Sequence, residues 1–182
     1  RHEREVGGAV AVDLSLQALT VAESVKNFSP ANLALLRGNL AVMLSEMGDF
    51  ARAHRLLGQV VPVYQTELGM DHRQTLWAEV ALATTEASLG DTLAAAARFR
   101  SVCDRFEAAG SITSTGSLTQ ARVGLAELVA DRDPRAALAL IDAAEAVERL
   151  RPDPNWGAMA DVQIIRMRLL ADLGDRAGVA RA

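Results

Sequence analysis

The chain has 182 residues, of which 50% are hydrophobic and 23% are charged, and this balance excludes collagen-like, disordered and disulfide-rich chains. Its 19 basic and 23 acidic residues give a formal net charge of -4, which argues against a nucleic-acid partner. No apolar run reaches the roughly 18 residues of a membrane-spanning helix, so the sequence predicts one or two domains without a membrane partner.

The spacing of apolar residues predicts helices along the whole chain. Phe50, Ala53 and Leu57 recur at steps of three and four, which places them on one face of a helix. No segment alternates apolar and polar residues over a strand's length, so no sheet is predicted. A small polar loop is predicted at 110–116 and a proline-containing break at 151–155. The predicted helices lie near 8–26, 30–47, 50–67, 72–89, 92–108, 117–131, 134–149, 156–173 and 176 to the end.

A repeat of 42 residues accounts for the order of these helices. Gly48 and Gly90 are 42 positions apart, and the same step reaches Arg132 and Gly174. An aspartate follows each of them, at Asp49, Asp91, Asp133 and Asp175. Glycine allows the left-handed conformation that ends one helix, and aspartate caps the next, so each pair predicts a tight helix-turn-helix. A fixed period of this kind is typical of stacked helix pairs.

The residues around the first turn resemble the tetratricopeptide repeat family. The matching positions are Asn39-Leu40-Ala41, Leu44, Gly48-Asp49-Phe50, Ala53, Leu57 and Val60. The long unit and the connector at 68–76, Leu-Gly-Met-Asp-His-Arg-Gln-Thr-Leu, are similar to the variant found in kinesin light chains and in bacterial regulators. In that variant a proline is common where this chain has Arg73. The resemblance implies an all-α fold, a right-handed solenoid of stacked antiparallel helix pairs.

The period divides the chain into units of one array. These are a partial unit at 1–28, full units at 29–70, 71–112 and 113–154, and a partial unit at 155–182. Because neither end of the chain falls on a unit boundary, we expect a piece of a longer multidomain protein. In the last two units the first helix departs from the family pattern, so its register is left open there.

The resemblance also implies a concave groove, lined by the first helix of each unit, in which a protein or peptide binds. The family's groove positions fall on Leu35, Gly38, Val42, Ser45 and Glu46, then on Trp77, Val80, Thr84, Ala87 and Ser88. The last unit adds Asp161, Ile164, Arg168, Ala171 and Asp172. Arg122 and Arg168 are candidates for meeting an acidic ligand, although a solvated charge is the simpler interpretation of each.

The chemistry of these positions narrows the ligand. Family members that bind a C-terminal carboxylate carry Lys and Asn where this chain has Gly38, Val42, Val80 and Thr84, so such a clamp is disfavoured. The groove is mildly apolar, and Trp77 is its predicted anchor because exposed tryptophans are frequent binding hot spots. Packing of Trp77 between adjacent units is an equally good alternative.

No motif in the sequence predicts catalysis. Phosphate-binding loops, nucleophile elbows and Cys-x-x-Cys pairs are absent. His2, His54 and His72 lie at unrelated spacings, so neither a metal site nor a cofactor is predicted, and the chain is not expected to be an enzyme. Cys103 is interpreted as a small core residue, and a lone thiol is typical of a reducing compartment such as the cytoplasm.

Two functions fit these observations. The first is a non-catalytic module that binds a peptide or a partner domain in the groove. The alternative is a sensory or autoinhibitory segment of a bacterial signalling protein, such as a kinase or an NTPase regulator, that binds a ligand or its own effector domain. Apolar solenoid ends also suggest a homo-oligomer.

Overall fold

The computed structural model describes residues 2–109, 115–150 and 155–179, and every regular element in these ranges is an α-helix. The helices are α1 (His2–Ser24), α2 (Pro30–Glu46), α3 (Phe50–Glu67), α4 (Arg73–Ser88), α5 (Thr92–Ala109), α6 (Thr115–Val129), α7 (Pro134–Arg149) and α8 (Trp156–Val179). The chain divides into two compact units, Arg1–Asp91 and Thr92–Ala182, which we call the N-terminal and C-terminal halves. Within the described ranges, no helix has the length and apolar character needed to cross a membrane.

Most of the predicted helices agree with the observed ones to within a few residues, but α1 begins earlier than expected. It starts at His2, whereas the sequence predicted a start near residue 8. A glycine inside a helix costs about 1 kcal/mol relative to alanine, so Gly8 weakens α1 without ending it. Gly8 also lies against the end of α2, since a Cβ placed on it would be 3.7 Å from Met47 Sδ.

The prediction of a separate last helix from residue 176 is wrong. Helix α8 runs without a break from Trp156 to Val179 and passes through Gly174. Gly174 does not have the positive φ that marks the turns at Gly48 and Gly90. A Gly-Asp pair permits a turn but does not force one, because glycine also accepts helical dihedrals. The predicted loop at 110–116 and break at 151–155 lie mostly outside the described residues.

The turn between α2 and α3 shows why the sequence folds into pairs here. Gly48 adopts a φ of 83°. Its N–H donates to the carbonyl of Ser45 at 3.0 Å, and the N–H of Asp49 donates to that of Leu44 at 2.8 Å. These two bonds form a Schellman motif, which ends α2. The Asp49 carboxylate then accepts from the N–H of Arg52 at 3.1 Å and caps α3, as the sequence predicted.

In the N-terminal half, α1 packs on α2, α2 on α3 and α3 on α4. Ala53 is completely buried on α3, and such a small residue lets neighbouring helices approach closely. Gln65 of α3 donates to the carboxylate of Glu79 on α4 at 2.9 Å, which gives this buried acid a partner. The core cluster of this half includes Leu40, Ala41, Leu44, Leu57, Val60, Val61, Tyr64 and Ala78.

In the C-terminal half, α5 packs on α6, α6 on α7 and α7 on α8. Its turn between α6 and α7 has no glycine, and Arg132 stands where the repeat would place one. The N–H groups of Arg132 and Asp133 both donate to the carbonyl of Val129, at 3.1 and 2.8 Å, so no Schellman motif forms. A core cluster of this half contains Ala126, Ala137, Ile141, Ala144, Val162, Ile165 and Leu169.

Candidate functional site

The N-terminal half brings most of the predicted groove residues together. Helices α2 and α4 are both first helices of predicted units, and they contact each other beside α3. We use the name α2–α4 face for the side chains on these helices that are exposed or half-buried at predicted groove positions. They are Leu35, Val42, Ser45, Glu46, Trp77, Thr84, Ala87 and Ser88.

Two predicted positions offer a partner no side-chain surface. Val80 is only 3% exposed, so its side chain belongs to the packing of α4. Gly38 is buried as well. Helix geometry explains the burial of both residues. The groove positions of one helix are spread over a wide part of its circumference, so some of them face neighbouring helices and not a partner.

Trp77 lies across the surface of α2. A Cβ placed on Gly38 would be 2.9 Å from Trp77 Cζ3 and 3.1 Å from Cη2, so the indole ring occupies the space that only glycine leaves free. The ring also packs against the core cluster of this half while it stays half-exposed. Trp77 therefore combines the two alternatives that the sequence left open, since one part of it packs between helices and the other meets solvent.

The hydroxyl groups at one end of this face already donate hydrogen bonds to carbonyls of α4. Thr84 Oγ1 donates to the carbonyl of Val80 at 3.0 Å, and Ser88 Oγ donates to that of Thr84 at 2.9 Å. Their protons point into their own helix, so the lone pairs are what they offer to an incoming group. These hydroxyls suit a ligand that donates hydrogen bonds, such as a peptide N–H.

The charge of the α2–α4 face is acidic. Glu46 is exposed at the C-terminal end of α2. Arg37, also on α2, is not one of the predicted groove positions, and its charge is already paired with Glu23 of α1 at 2.8 Å. The carbonyl end of a helix adds partial negative charge near Glu46. A positively charged group therefore fits this end of the face better than a carboxylate.

The predicted residues of the C-terminal half do not form a comparable face. Arg122 donates to the carbonyl of Ala143 on α7 at 3.0 Å and approaches Glu107 at 3.4 Å, and its side chain is only 12% exposed. This arginine links helices of its own half and is not free for an acidic ligand. On α8, Ile164 is exposed, and Arg168 is exposed with Glu127 at 3.6 Å.

Sequence reasoning missed a set of buried acids in this half. Glu148 is completely buried and accepts from Thr119 Oγ1 at 2.7 Å, and Glu145 pairs with Arg166 of α8. No signal in the sequence separates these glutamates from solvated ones on the same helix. Their contacts hold α6, α7 and α8 together, and none of the described contacts points to a catalytic role.

The remaining candidate groups are structural. Burial raises the pKa of the Cys103 thiol to about 11, so the thiol stays protonated and unreactive. The predicted burial of Cys103 is confirmed. His72 caps α4, its Nδ1 accepting from the N–H of Gln74 at 3.2 Å. Nowhere in the described part of the chain do three His, Cys, Asp or Glu side chains come together as a metal site requires.

Comparison with known families agrees with the turn and the helix pairs. The family model for the tetratricopeptide repeat matches residues 32–108. The matched segment contains all of the α2–α4 face, and it confirms the resemblance carried by the residues around Gly48. Repeats of this family are protein–protein interaction modules. No curated protein matches the sequence significantly.

Solved structures extend the likeness to the rest of the chain. BtubC (BKLC) from P. vanneervenii matches with a TM-score of 0.71 and 15% identity, over 98% of this chain and 76% of that chain. The nearly identical TPR-like repeats of a Podosopora anserina protein named as a kinesin light chain match with a TM-score of 0.71 and 20% identity, over 100% of this chain and 86% of that chain. At these identities the match shows the fold, and the predicted all-α tetratricopeptide-type solenoid is confirmed.

Proposed function

We propose that the chain is a non-catalytic interaction module whose α2–α4 face binds a peptide segment of another protein. The single observation that supports this is the half-exposed ring of Trp77, held over Gly38. A tryptophan whose ring is already fixed loses little conformational entropy when a ligand covers it, so its buried area contributes fully to affinity. Leu35 and Val42 on α2 widen this apolar surface.

The ligand that fits best is an apolar side chain with a basic residue nearby. The apolar group would cover Trp77, and the basic residue would lie near Glu46 at the end of α2. The hydroxyls of Thr84 and Ser88 accept hydrogen bonds from the peptide backbone in this arrangement. The free thiol of buried Cys103 supports a reducing compartment, and we propose that the module acts in the cytoplasm.

The test selects peptides from a display library on the wild-type chain and measures their affinity by fluorescence. A fluorophore attached to each selected peptide reports binding by its anisotropy, so variants that lack Trp77 are measured in the same way as wild type. We expect Trp77→Ala to weaken binding of the selected peptides by at least about tenfold, because it removes the anchor. Trp77→Phe should lose less, and thermal melts of each variant establish that it is folded.

Two further variants separate the anchor from general effects. Trp156→Ala is the matched control, since Trp156 is 73% exposed but lies on α8. Gly38→Ala keeps the indole but displaces it, because its Cβ would come within 2.9 Å of the ring, and it should weaken the same peptides. Selected peptides that bind Trp77→Ala as tightly as wild type would show that this face is not the site. The regulatory alternative stays a prediction, tested by the activity of a parent protein from which this segment is deleted.

A further inference from the structure

Helix α8 has an apolar face that no described helix covers. Ile164, Met167 and Leu170 are 59%, 62% and 50% exposed and follow one another at steps of three. Their opposite neighbours on the helix, Val162 and Leu169, are completely buried in the core cluster of the C-terminal half. Helix α8 is thus packed on one side and bare on the other. Sequence reasoning identified Ile164 but not the two residues that complete this α8 face.

The repeat shows what kind of element covers such a face. Three steps of 42 residues lead back from Ile164, Met167 and Leu170 to Gly38, Ala41 and Leu44 of α2. All three equivalents are buried, and α3 packs on α2. A Cβ on Gly38 would lie 3.9 Å from Val60 Cγ1 of α3. The α8 face therefore corresponds to the surface of α2 on which α3, the second helix of that pair, packs.

Helix α1 has the complementary property. One step of 42 residues leads back from Leu57 and Val60 of α3 to Ser15 and Ala18, so α1 is a second helix. In the described part of the chain α1 packs only on α2, the first helix of the next unit. On the side that a partner first helix would cover, Leu14 and Val21 are 59% and 63% exposed, whereas their equivalents on α3, Leu56 and Val63, are half-buried.

The register of the helix pairs is the same in both halves, so it can be applied to α1 packed on α8. Gly38 lies beside Val60 in the α2–α3 pair, and 84 residues further on Arg122 reaches the carbonyl of Ala143, one position from the equivalent of Val60. The same register would place Ile164 opposite Ala18, a large side chain against a small one. It also brings exposed Arg168 next to exposed Asp13, which gives charges of opposite sign.

We propose that two copies of this chain associate head to tail, with α1 of one copy packed antiparallel on the α8 face of the other. The new pair repeats the packing of α3 on α2 and does not depend on the peptide-binding function of the α2–α4 face. Because the two contact surfaces differ, each added copy leaves one of each free. The contact is heterologous and can continue beyond a dimer.

Sedimentation or light scattering of the wild-type chain over a wide range of concentrations tests this. The mass should rise with concentration past that of a dimer. Leu14→Glu places a charge on the apolar surface of α1, and Met167→Glu places one on the α8 face. Each variant alone should associate with itself at least about tenfold more weakly than wild type, so that it is monomeric at concentrations where wild type associates. Both residues are exposed, so the changes should leave the fold intact, as circular dichroism would show. Mixing the two variants should restore a one-to-one dimer, because one intact surface of each kind remains.

Thr20→Glu is the matched control, because Thr20 is exposed on the side of α1 away from Ala18 and should leave the mass unchanged. Three results would overturn the proposal. The first is a wild-type chain that is monomeric at every concentration, which would mean that another element covers the α8 face. The second is a Leu14→Glu variant that dimerises alone, which indicates an α8–α8 contact. The third is a mixture of the two variants that stays monomeric.

Discussion

Tyr64 in the N-terminal half and Glu148 in the C-terminal half occupy the same repeat position with opposite chemistry. They are 84 residues apart, on second helices α3 and α7, and both are 0% exposed. The hydroxyl of Tyr64 has no hydrogen-bond partner among the described residues. The carboxylate of Glu148 accepts from Thr119 Oγ1 at 2.7 Å and from the N–H of Asn155 at 3.3 Å.

This difference shows that the position requires burial and not a particular polarity. In the N-terminal half the aromatic ring of Tyr64 fills the space, and its unpaired hydroxyl is a cost of about 1 to 3 kcal/mol that the ring's burial offsets. In the C-terminal half Glu148 uses its oxygens to connect α6 with the residue that precedes α8. Asn155 in turn caps α8, its Oδ1 accepting from the N–H of Ala158 at 3.2 Å.

The comparison predicts opposite effects for the two polar groups. Glu148→Ala should lower the free energy of unfolding by about 3 kcal/mol, because it leaves Thr119 and the N–H of Asn155 without this acceptor and opens a cavity. Tyr64→Phe should change it between zero and a gain of about 1 kcal/mol, because the lost hydroxyl bonds to nothing. Both values come from denaturant unfolding followed by circular dichroism.

Glu127→Ala serves as the control for the loss of a carboxylate. The Glu127 side chain is 50% exposed and pairs with Arg168 at 3.6 Å, so its removal should cost less than about 1 kcal/mol. A Tyr64→Phe variant that is markedly destabilised would mean that the hydroxyl has a partner. An unchanged Glu148→Ala variant would show that the buried carboxylate does not hold the helices together.

The turns of the two halves also make the same connection with different residues. At Gly48 the chain needs a positive φ, 83°, and the space around its Cα is open. At Arg132, 84 residues later, the backbone makes the connection without a positive φ. The capping aspartates are nevertheless equivalent, since Asp133 accepts from the N–H of Ala136 at 3.0 Å as Asp49 does from Arg52.

Alanine substitutions at these turns should therefore have unequal effects. Gly48→Ala should destabilise the fold by about 1 to 2 kcal/mol, because an L residue at this φ is strained even where nothing contacts its Cβ. Arg132→Ala should stay within about 0.5 kcal/mol of wild type. Chemical denaturation of both variants measures the difference, and equal losses at the two turns would refute the proposed role of the left-handed conformation.

The sequence was sufficient for the parts of the fold that depend on local chemistry. The Gly-Asp pair at Gly48 predicted a turn, a cap and the helices on either side, because these interactions lie within a few residues. The same reasoning predicted a turn at Gly174 that does not occur, because glycine also accepts the helical conformation that it has in α8. The position of Trp77 over Gly38 and the burial of Glu148 depend on side chains from other helices, which the spacing along one helix does not show.

The last effect comes from acid groups whose charge the fold excludes, and it appears only at high pH. Burial raises the pKa of the Cys103 thiol from 9.0 to about 11, and burial also raises the pKa of Tyr64 above 10.0. In each case the unfolded chain loses its proton at a lower pH than the folded chain. Stability is therefore complete below pH 9 and should fall as the pH rises from 9 toward 11.

Cys103→Val separates the two groups, because valine is the residue at the equivalent position of the N-terminal half, where Val61 is buried. Near neutral pH the variant should be about as stable as wild type, since valine fills a similar volume. Its stability should then begin to fall only above pH 10, where Tyr64 alone contributes. Unfolding free energies measured at intervals through this range decide the matter. If the variant loses stability at the same pH as wild type, the buried thiol is not the group that makes the fold sensitive to alkali.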